Sequence, residues 1–254
     1  MSEQEKKILK VRNLKKFFGG IKAVNGVSFE VSEKEHLGII GPNGAGKTTL
    51  FNVIAGKLKA NAGEVIFQGE NVIKKPARKR ALSGISRTFQ TSQLFLDLTV
   101  KENLFLAANK NKGTFNILTA WKKDEKIIEK SVKVAEKLGL ADLLENKVAE
   151  LPHGKRRLLG IGQALISEAE LIMLDEPAAG LPAQERTEIS NLIKNLTEDI
   201  TLIIIDHDMD IIFDIADRVL VLNRGEVLAI DEPENIKKNQ KVQEIYVGGK
   251  ADAG

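Results

Sequence analysis

The sequence contains no cysteine, which excludes disulfides and thiolate metal sites. Such a chain fits a reducing compartment. No stretch approaches the ~18 to 20 apolar residues that span a bilayer. The first residues, Met1-Ser2-Glu3-Gln4-Glu5-Lys6-Lys7, lack the apolar core of a signal peptide. If the protein acts at a membrane, other chains are expected to supply the spans. Charge excess is also small. The 38 Lys and Arg against 35 Asp and Glu leave +3 over 254 residues, too little to argue for nucleic acid. One basic cluster, Lys74, Lys75, Arg78, Lys79 and Arg80, reads as a solvated face, with a phospholipid or partner contact as the alternative. No internal repeat or low-complexity segment is present. Hydrophobic residues make up 43%, enough for a sizeable core in one large domain or two intimately joined ones.

The apolar residues are patterned. Val27, Phe29 and Val31 alternate with polar residues, as in a half-buried antiparallel strand. Glu64-Val65-Ile66-Phe67, ending at Gln68-Gly69, predicts another strand. Leu37 to Ile40, Leu171 to Leu174 and Leu202 to Ile205 are apolar throughout. Strands buried on both faces read this way, and a parallel sheet covered by helices supplies that burial. Each run leads into a polar segment, and ligands sit at the carboxyl ends of strands in such sheets. Between roughly residues 92 and 150 the strand signal fades. Ile127, Ile128, Val134, Ala135 and Leu138 recur at helical spacing and Gly139 ends the run, which predicts an inserted helical subdomain. The tail from Gly248 is small and polar and is expected to be disordered.

After the first buried run comes Gly41-Pro42-Asn43-Gly44-Ala45-Gly46-Lys47-Thr48, a phosphate-loop pattern. Leu50, Val53, Ile54 and Leu58 follow at helical spacing. Glycines let the backbone curl so that several N–H groups face an anion. The helix N-terminus adds partial positive charge. Lys47 is expected to reach the β- and γ-phosphates, and the Thr48 hydroxyl to bind Mg²⁺. The second run ends in Asp175-Glu176. A phosphate-loop enzyme needs a strand-end carboxylate for hydrated Mg²⁺, which assigns Asp175. Glu176 is then free to act as general base on water. Acids placed there only for solubility are the weaker reading beside such a loop. The third run ends in Asp206-His207. A lone histidine is more often structural, but at this strand end His207 can contact the γ-phosphate.

With these residues the chain resembles the ATP-binding cassette (ABC) family over essentially its whole length. Gln90, in Arg87-Thr88-Phe89-Gln90, resembles the Q-loop glutamine, which the resemblance places on Mg²⁺ and water beside the groove for a transmembrane partner. His207 matches the switch histidine. Phe18, in Lys15-Lys16-Phe17-Phe18-Gly19, matches the aromatic that stacks on adenine; an ordinary core phenylalanine is the alternative. Leu151-Pro152-His153-Gly154-Lys155 occupies the signature position, 20 residues before Leu171. Only Leu151 and Gly154 match its commonest form. Pro152 removes a hydroxyl and an N–H from the contact a second subunit would receive. A helix starting near Lys155 is expected to keep its dipole there. Ala179-Gly180-Leu181-Pro182 stands where most members' D-loop ends in Asp, so that carboxylate's contacts across the dimer are lost.

Within the family, the segments Gly84–Gln90, Leu94-Phe95, Leu98–Asn103, Asp175–Leu181, His207-Asp208-Met209 and Val242–Gly248 are similar to the ATPase of branched-chain amino acid importers. Urea-import and lipopolysaccharide-export ATPases share parts of them. The resemblance implies a RecA-like P-loop α/β core with an antiparallel β subdomain and an inserted helical subdomain. Residues 6–90 plus 155–230 are expected to form the core, 91–154 the helical part with the signature segment, and 231–254 a C-terminal extension. It further implies ATP held by Phe18 and the Gly41–Thr49 loop, Mg²⁺ held at Thr48, Gln90 and Asp175, and hydrolysis by Glu176, His207, Gln90 and Lys47. The implied partners are two permease subunits, a second ATP-binding subunit and, indirectly, an extracytoplasmic solute-binding protein. The implied location is the cytoplasmic face of the membrane. Leu94, Phe95 and Leu98 are expected near the docking groove, with core burial equally open. A soluble ABC ATPase acting on nucleic acid usually carries two cassettes or a long coiled-coil insertion, and neither occurs here. A non-enzymatic cassette would lose Lys47, Glu176 or His207, and all three are present.

Overall fold

The computed structural model describes residues 6–88, 94–109 and 124–248. Its strands are β1 (Lys7–Phe18), β2 (Ile21–Ser32), β3 (His36–Ile40), β4 (Ala62–Phe67), β5 (Glu70–Asn71), β6 (Ile85–Arg87), β7 (Leu171–Asp175), β8 (Thr201–Ile205), β9 (Arg218–Asn223) and β10 (Glu226–Asp231). Its helices are α1 (Lys47–Ile54), α2 (Ala77–Leu82), α3 (Val100–Ala108), α4 (Glu125–Lys137), α5 (His153–Ile166), α6 (Ala183–Thr197), α7 (Met209–Ile215), α8 (Pro233–Lys238) and α9 (Gln240–Gly248). The strands form an antiparallel sheet, β2-β1-β4-β5, and a second sheet, β10-β9-β3-β8-β7-β6. Within the second, β6, β7, β8, β3 and β9 run parallel, and β10 returns antiparallel.

The apolar runs explain the layering. Side chains alternate across a strand, so a run buried on both faces feeds two cores. Leu37, Ile39, Leu171, Met173, Ile203 and Ile205 join one core with the antiparallel sheet and with Leu50, Phe51 and Ile54 of α1. Ile40, Ile172, Leu174, Leu202 and Ile204 join the other, with Leu159 of α5, Ile193 of α6 and Ile212 of α7. Each fully buried Leu or Ile contributes about 1.5–3 kcal/mol, so the middle of this sheet is a rigid platform. The parallel α/β core, the antiparallel sheet and the helical segment expected from the sequence are all present. In that segment α3 and α4 pack against each other and against α5. Thr99 and Glu102 form a reciprocal capping box at the start of α3, and Gly139 follows α4 in the left-handed region at φ 62. Among the described residues no helix is long and apolar enough to cross a membrane.

Three expectations change. α1 ends at Ile54, so Leu58 is not on it. Gly56 ends the helix at φ 78, where a Cβ would lie 2.9 Å from Arg80 Nε. Arg80 accounts for the second change, because it is only 2% exposed and is no part of a solvated face. Its guanidinium donates to the carbonyls of Val53, Ile54, Ile73 and Lys75; the first two lie at the end of α1, where helix carbonyls lose their usual partners, and Val53 O also accepts from Gly56 N–H at 3.1 Å. Burial pushes Arg80 down to about 10. Third, α5 starts at His153, two residues before the expected Lys155. Pro152 is its N-cap at φ −57, ψ 153, a conformation that proline's fixed φ favours. The tail expectation falls largely on residues 249–254, outside the described residues.

Candidate nucleotide-binding and hydrolysis site

The sheet register brings the three polar segments together. Ile39 of β3 is paired with Ile205 of β8, which is paired with Asp175 of β7. The residues just past that row, Ile40-Gly41, Asp206 and Glu176, therefore leave one edge of the sheet side by side. This is the carboxyl edge expected of a parallel α/β sheet.

The loop after β3 is curled as its glycines require. Gly44 and Gly46 have φ of 78 and 101. A Cβ at Gly46 would lie 2.1 Å from Ala23 O, so only glycine fits there. Ala45 N–H donates to Pro42 O at 3.1 Å. Gly46 is the N-cap of α1 and offers no side-chain cap, so the first-turn N–H groups are available to an anion. Asn43, Gly44 and Thr48 are exposed. Lys47 Nζ folds back onto Gly41 O at 2.5 Å and Pro42 O at 3.1 Å. Burial pushes this ammonium below its ordinary value, and the charge of Glu176 partly offsets it. The loop thus holds a half-buried cation whose carbonyl partners a phosphate can replace.

Asp175 is buried and paired with Arg87, Nη2 to Oδ2 at 2.7 Å. Glu176 adopts φ 48, an uncommon conformation for a non-glycine residue. Its N–H donates to Ile205 O at 2.8 Å, which ties it to β8. Asp206 accepts from Asp208 N–H at 3.0 Å and from Ala178 N–H at 3.5 Å. Burial pushes Asp206 up, and those N–H groups and His207 pull it back. The His207 side chain is 59% exposed, with Nδ1 3.3 Å from Asp206 Oδ1. Arg157, on α5, donates to Ala179 O. Burial lowers its pKa, while Asp206 and Glu176 act to raise it. Lys47, Glu176, Asp206, His207 and Arg157 therefore share one electrostatic neighbourhood.

Phe18 is 45% exposed, which removes the core-phenylalanine alternative. It closes the β1–β2 hairpin opposite Ile21. Two residues beyond Ile21, Ala23 meets Gly46, which places the hairpin beside the phosphate loop. Lys16 Nζ lies 4.8 Å from the centre of the Phe18 ring, so one ring face accepts a cation. Leu151 is buried, whereas Pro152 and His153 are exposed at the N-terminus of α5. Lys155 donates to Gly139 O at 3.1 Å. Pro182 N-caps α6 as Pro152 caps α5. Gln90 lies outside the described residues. Sequence reasoning gave no role to Arg87, Asp206, Arg157 or Tyr246. The Tyr246 phenol of α9 hydrogen-bonds to the Gly41 backbone, while burial pushes it up to about 12. Their one sequence signal was position beside a named motif.

A parallel sheet with a phosphate loop after one strand and a carboxylate pair after another defines a P-loop nucleotide hydrolase. Within that class the chain belongs to the ABC transporter family, whose model matches residues 24–179, more than half of it. It is an ATP-binding cassette whose activity is ATP hydrolysis. Among curated relatives it is 38% identical over 250 residues to the probable branched-chain amino acid transport ATP-binding protein LivG of Methanocaldococcus jannaschii, covering 95% of this chain and 97% of that one. It is 35% identical over 249 residues to the high-affinity branched-chain amino acid transport ATP-binding protein BraF of Pseudomonas aeruginosa, covering 95% and 98%. Among solved structures it is similar to the ADP conformation of MJ1267, an ATP-binding cassette of an ABC transporter. That match has a TM-score of 0.84 and 38% identity, over 95% of this chain and 99% of that one.

Proposed function

We propose that this chain is the ATP-hydrolysing motor of an importer for branched-chain or other hydrophobic amino acids. The cross-sheet row Ile39–Ile205–Asp175 is the observation that carries the motor, because it aligns the phosphate loop, the carboxylate pair and the histidine. The relatives named for branched-chain amino acid transport, matched over 95% of this chain, carry the substrate.

Phe18 stacks on adenine, and the loop from Gly41 to Thr49 wraps the phosphates with backbone N–H groups. Lys47 leaves the carbonyls of Gly41 and Pro42 for phosphate oxygens. Glu176 accepts a proton from the attacking water. The water oxygen bonds to the γ-phosphorus as the bond to the β–γ bridging oxygen breaks, giving ADP and phosphate. His207 braces the γ-phosphate, with Asp206 behind its ring.

The residues present fit Mg²⁺. Thr48 and Asp175 offer hard oxygen donors, and among the described residues no cluster of three His, Cys, Asp or Glu exists to cage a metal. That donor set suits an ion held by one or two protein oxygens plus phosphates and water. Thr48 and Asp175 would hold it, joined by Gln90. Bound there it would neutralise charge on the phosphate oxygens.

A second ATP-binding subunit lays its Leu151–Lys155 segment over the γ-phosphate. Two permease subunits dock beside residues 94–98 at the cytoplasmic face of the membrane, with a solute-binding protein outside. Phe95 and Leu96 support this docking, being 56% and 47% exposed. The buried Asn103 amide bonds both N–H and C=O of Phe95, each at 3.0 Å, which anchors the backbone under the exposed tip. Leu94 packs on the core instead.

Reconstitution of the chain in liposomes with its permeases and binding protein tests the reading. The expected result is ATP-dependent accumulation of labelled leucine, isoleucine or valine. Accumulation of urea instead, or assembly with a lipid exporter, removes the substrate and leaves the motor.

A further inference from the structure

Arg87 has no part in the roles above, yet its setting is unusual. Its side chain is 8% exposed and that of Asp175 5%. Nη2 donates to Asp175 Oδ2 at 2.7 Å, and Nη1 donates to Asn52 Oδ1 at 2.6 Å. The guanidinium carbon lies 5.4 Å from the centre of the Phe51 ring. Asn52 and Phe51 belong to α1, the helix that grows out of the phosphate loop. Arg87 is itself held in register against Met173 of β7, and the next residue, Thr88, donates its N–H to Met173 O at 3.0 Å. One side chain thus joins β6, the end of β7 and α1.

Stability alone is a poor reason for this arrangement. A buried ion pair is often no better than apolar residues of the same volume. A site reason is available. Carboxylates that bind metals are commonly held by a further hydrogen bond that fixes their orientation. Arg87 engages one oxygen of Asp175 and leaves the other. The guanidinium fork is planar and rigid, so its two ends fix a direction as well as a distance. Because the second end is on α1, the carboxylate is held at a set position relative to the phosphate loop.

We propose that Arg87 is a positioning residue that orients Asp175 for metal and locks it to α1, and thereby sets the Mg²⁺ affinity of the nucleotide site. The proposal rests on Asp175 being the metal-binding carboxylate.

The test is a binding experiment on the full chain and needs no turnover. Affinity for a fluorescent ATP analogue is measured in EDTA and across a Mg²⁺ titration, for the wild type, Arg87→Gln and Asn52→Ala. In EDTA all three are expected to bind alike. The Mg²⁺ concentration at half effect is expected to rise about tenfold in Arg87→Gln, the low end for loss of a metal ligand's hydrogen-bond partner. Asn52→Ala keeps the Asp175 contact, and a rise of roughly two- to threefold is expected for one lost anchoring bond. If Arg87→Gln does not fold, Asn52→Ala decides alone. An unchanged Mg²⁺ dependence overturns the proposal. So does a lower half-effect concentration, which would make Arg87 a competitor of the metal. Equal losses in EDTA and in Mg²⁺ also overturn it, because Arg87 would then shape only the loop. A wild type whose affinity ignores Mg²⁺ removes the metal role of Asp175 itself, a distinct failure.

Discussion

Glu176 occupies a left-handed conformation that costs an L-residue about 1–2 kcal/mol. Its N–H bond to Ile205 O and its attraction to the Lys47 ammonium offset that cost against repulsion from Asp206, and the result is a carboxylate turned off the line of β7 toward the phosphate loop. Phe18 is a second residue held in a costly state, since an exposed aromatic ring forgoes burial. Base–aromatic stacking is worth about 1–3 kcal/mol. Phe18→Ala is therefore expected to weaken ATP and GTP binding alike, by roughly 5- to 150-fold. A nucleotide titration with wild-type affinities for both would show that the ring does not touch the base. Lys47, Glu176 and His207 were legible because each lies in a motif with local spacing. Arg87 and Asp206 were not. Their partners, Asn52 and Ala178, are 35 and 28 positions away, and only the folded sheet brings them together.

At the scale of elements, the apolar runs were legible because burial on both faces removes the polar alternation. The helix ends were harder. α1 stops where Gly56 turns left-handed and Arg80 takes its last carbonyls. Nothing in Lys74-Lys75-Pro76-Ala77-Arg78-Lys79-Arg80 distinguishes the one buried arginine from its solvated neighbours. Only Arg80, on α2, turns inward to close the gap between α1 and the segment at Ile73. Arg80→Ala would take a donor from four carbonyls, of which Val53 O keeps Gly56 N–H, at about 1–3 kcal/mol for each that stays buried and unpaired. Some will rehydrate, so the expected loss is about 3–5 kcal/mol, seen as a melting temperature lower by roughly 10 °C. Substitution of Lys79, on the outer face of the same helix, is expected to change it little. A melt of Arg80→Ala within a degree or two of wild type would mean that water replaces the guanidinium without cost.

At the scale of the molecule, the site reads as half of a larger one. The loop, carboxylates and histidine leave one sheet edge, while the signature segment caps α5, which packs with α3 and α4. Arg157 links α5 to the segment after Glu176 by donating to Ala179 O. If a second subunit completes the site by placing its signature segment over the γ-phosphate, closure needs intact ATP and hydrolysis ends it. Glu176→Gln separates the two events. Loss of the general base is expected to lower turnover by about 10² to 10⁴-fold, while the retained side-chain volume leaves ATP binding intact. With ATP the variant is expected to sediment as a dimer, and with ADP as a monomer. Unchanged turnover would remove Glu176 as the base. Low turnover with a monomer in ATP would keep the base and remove the self-pairing of this chain. The complementary half-site would then have to come from a related ATPase, and mixing the two chains with ATP would restore the dimer.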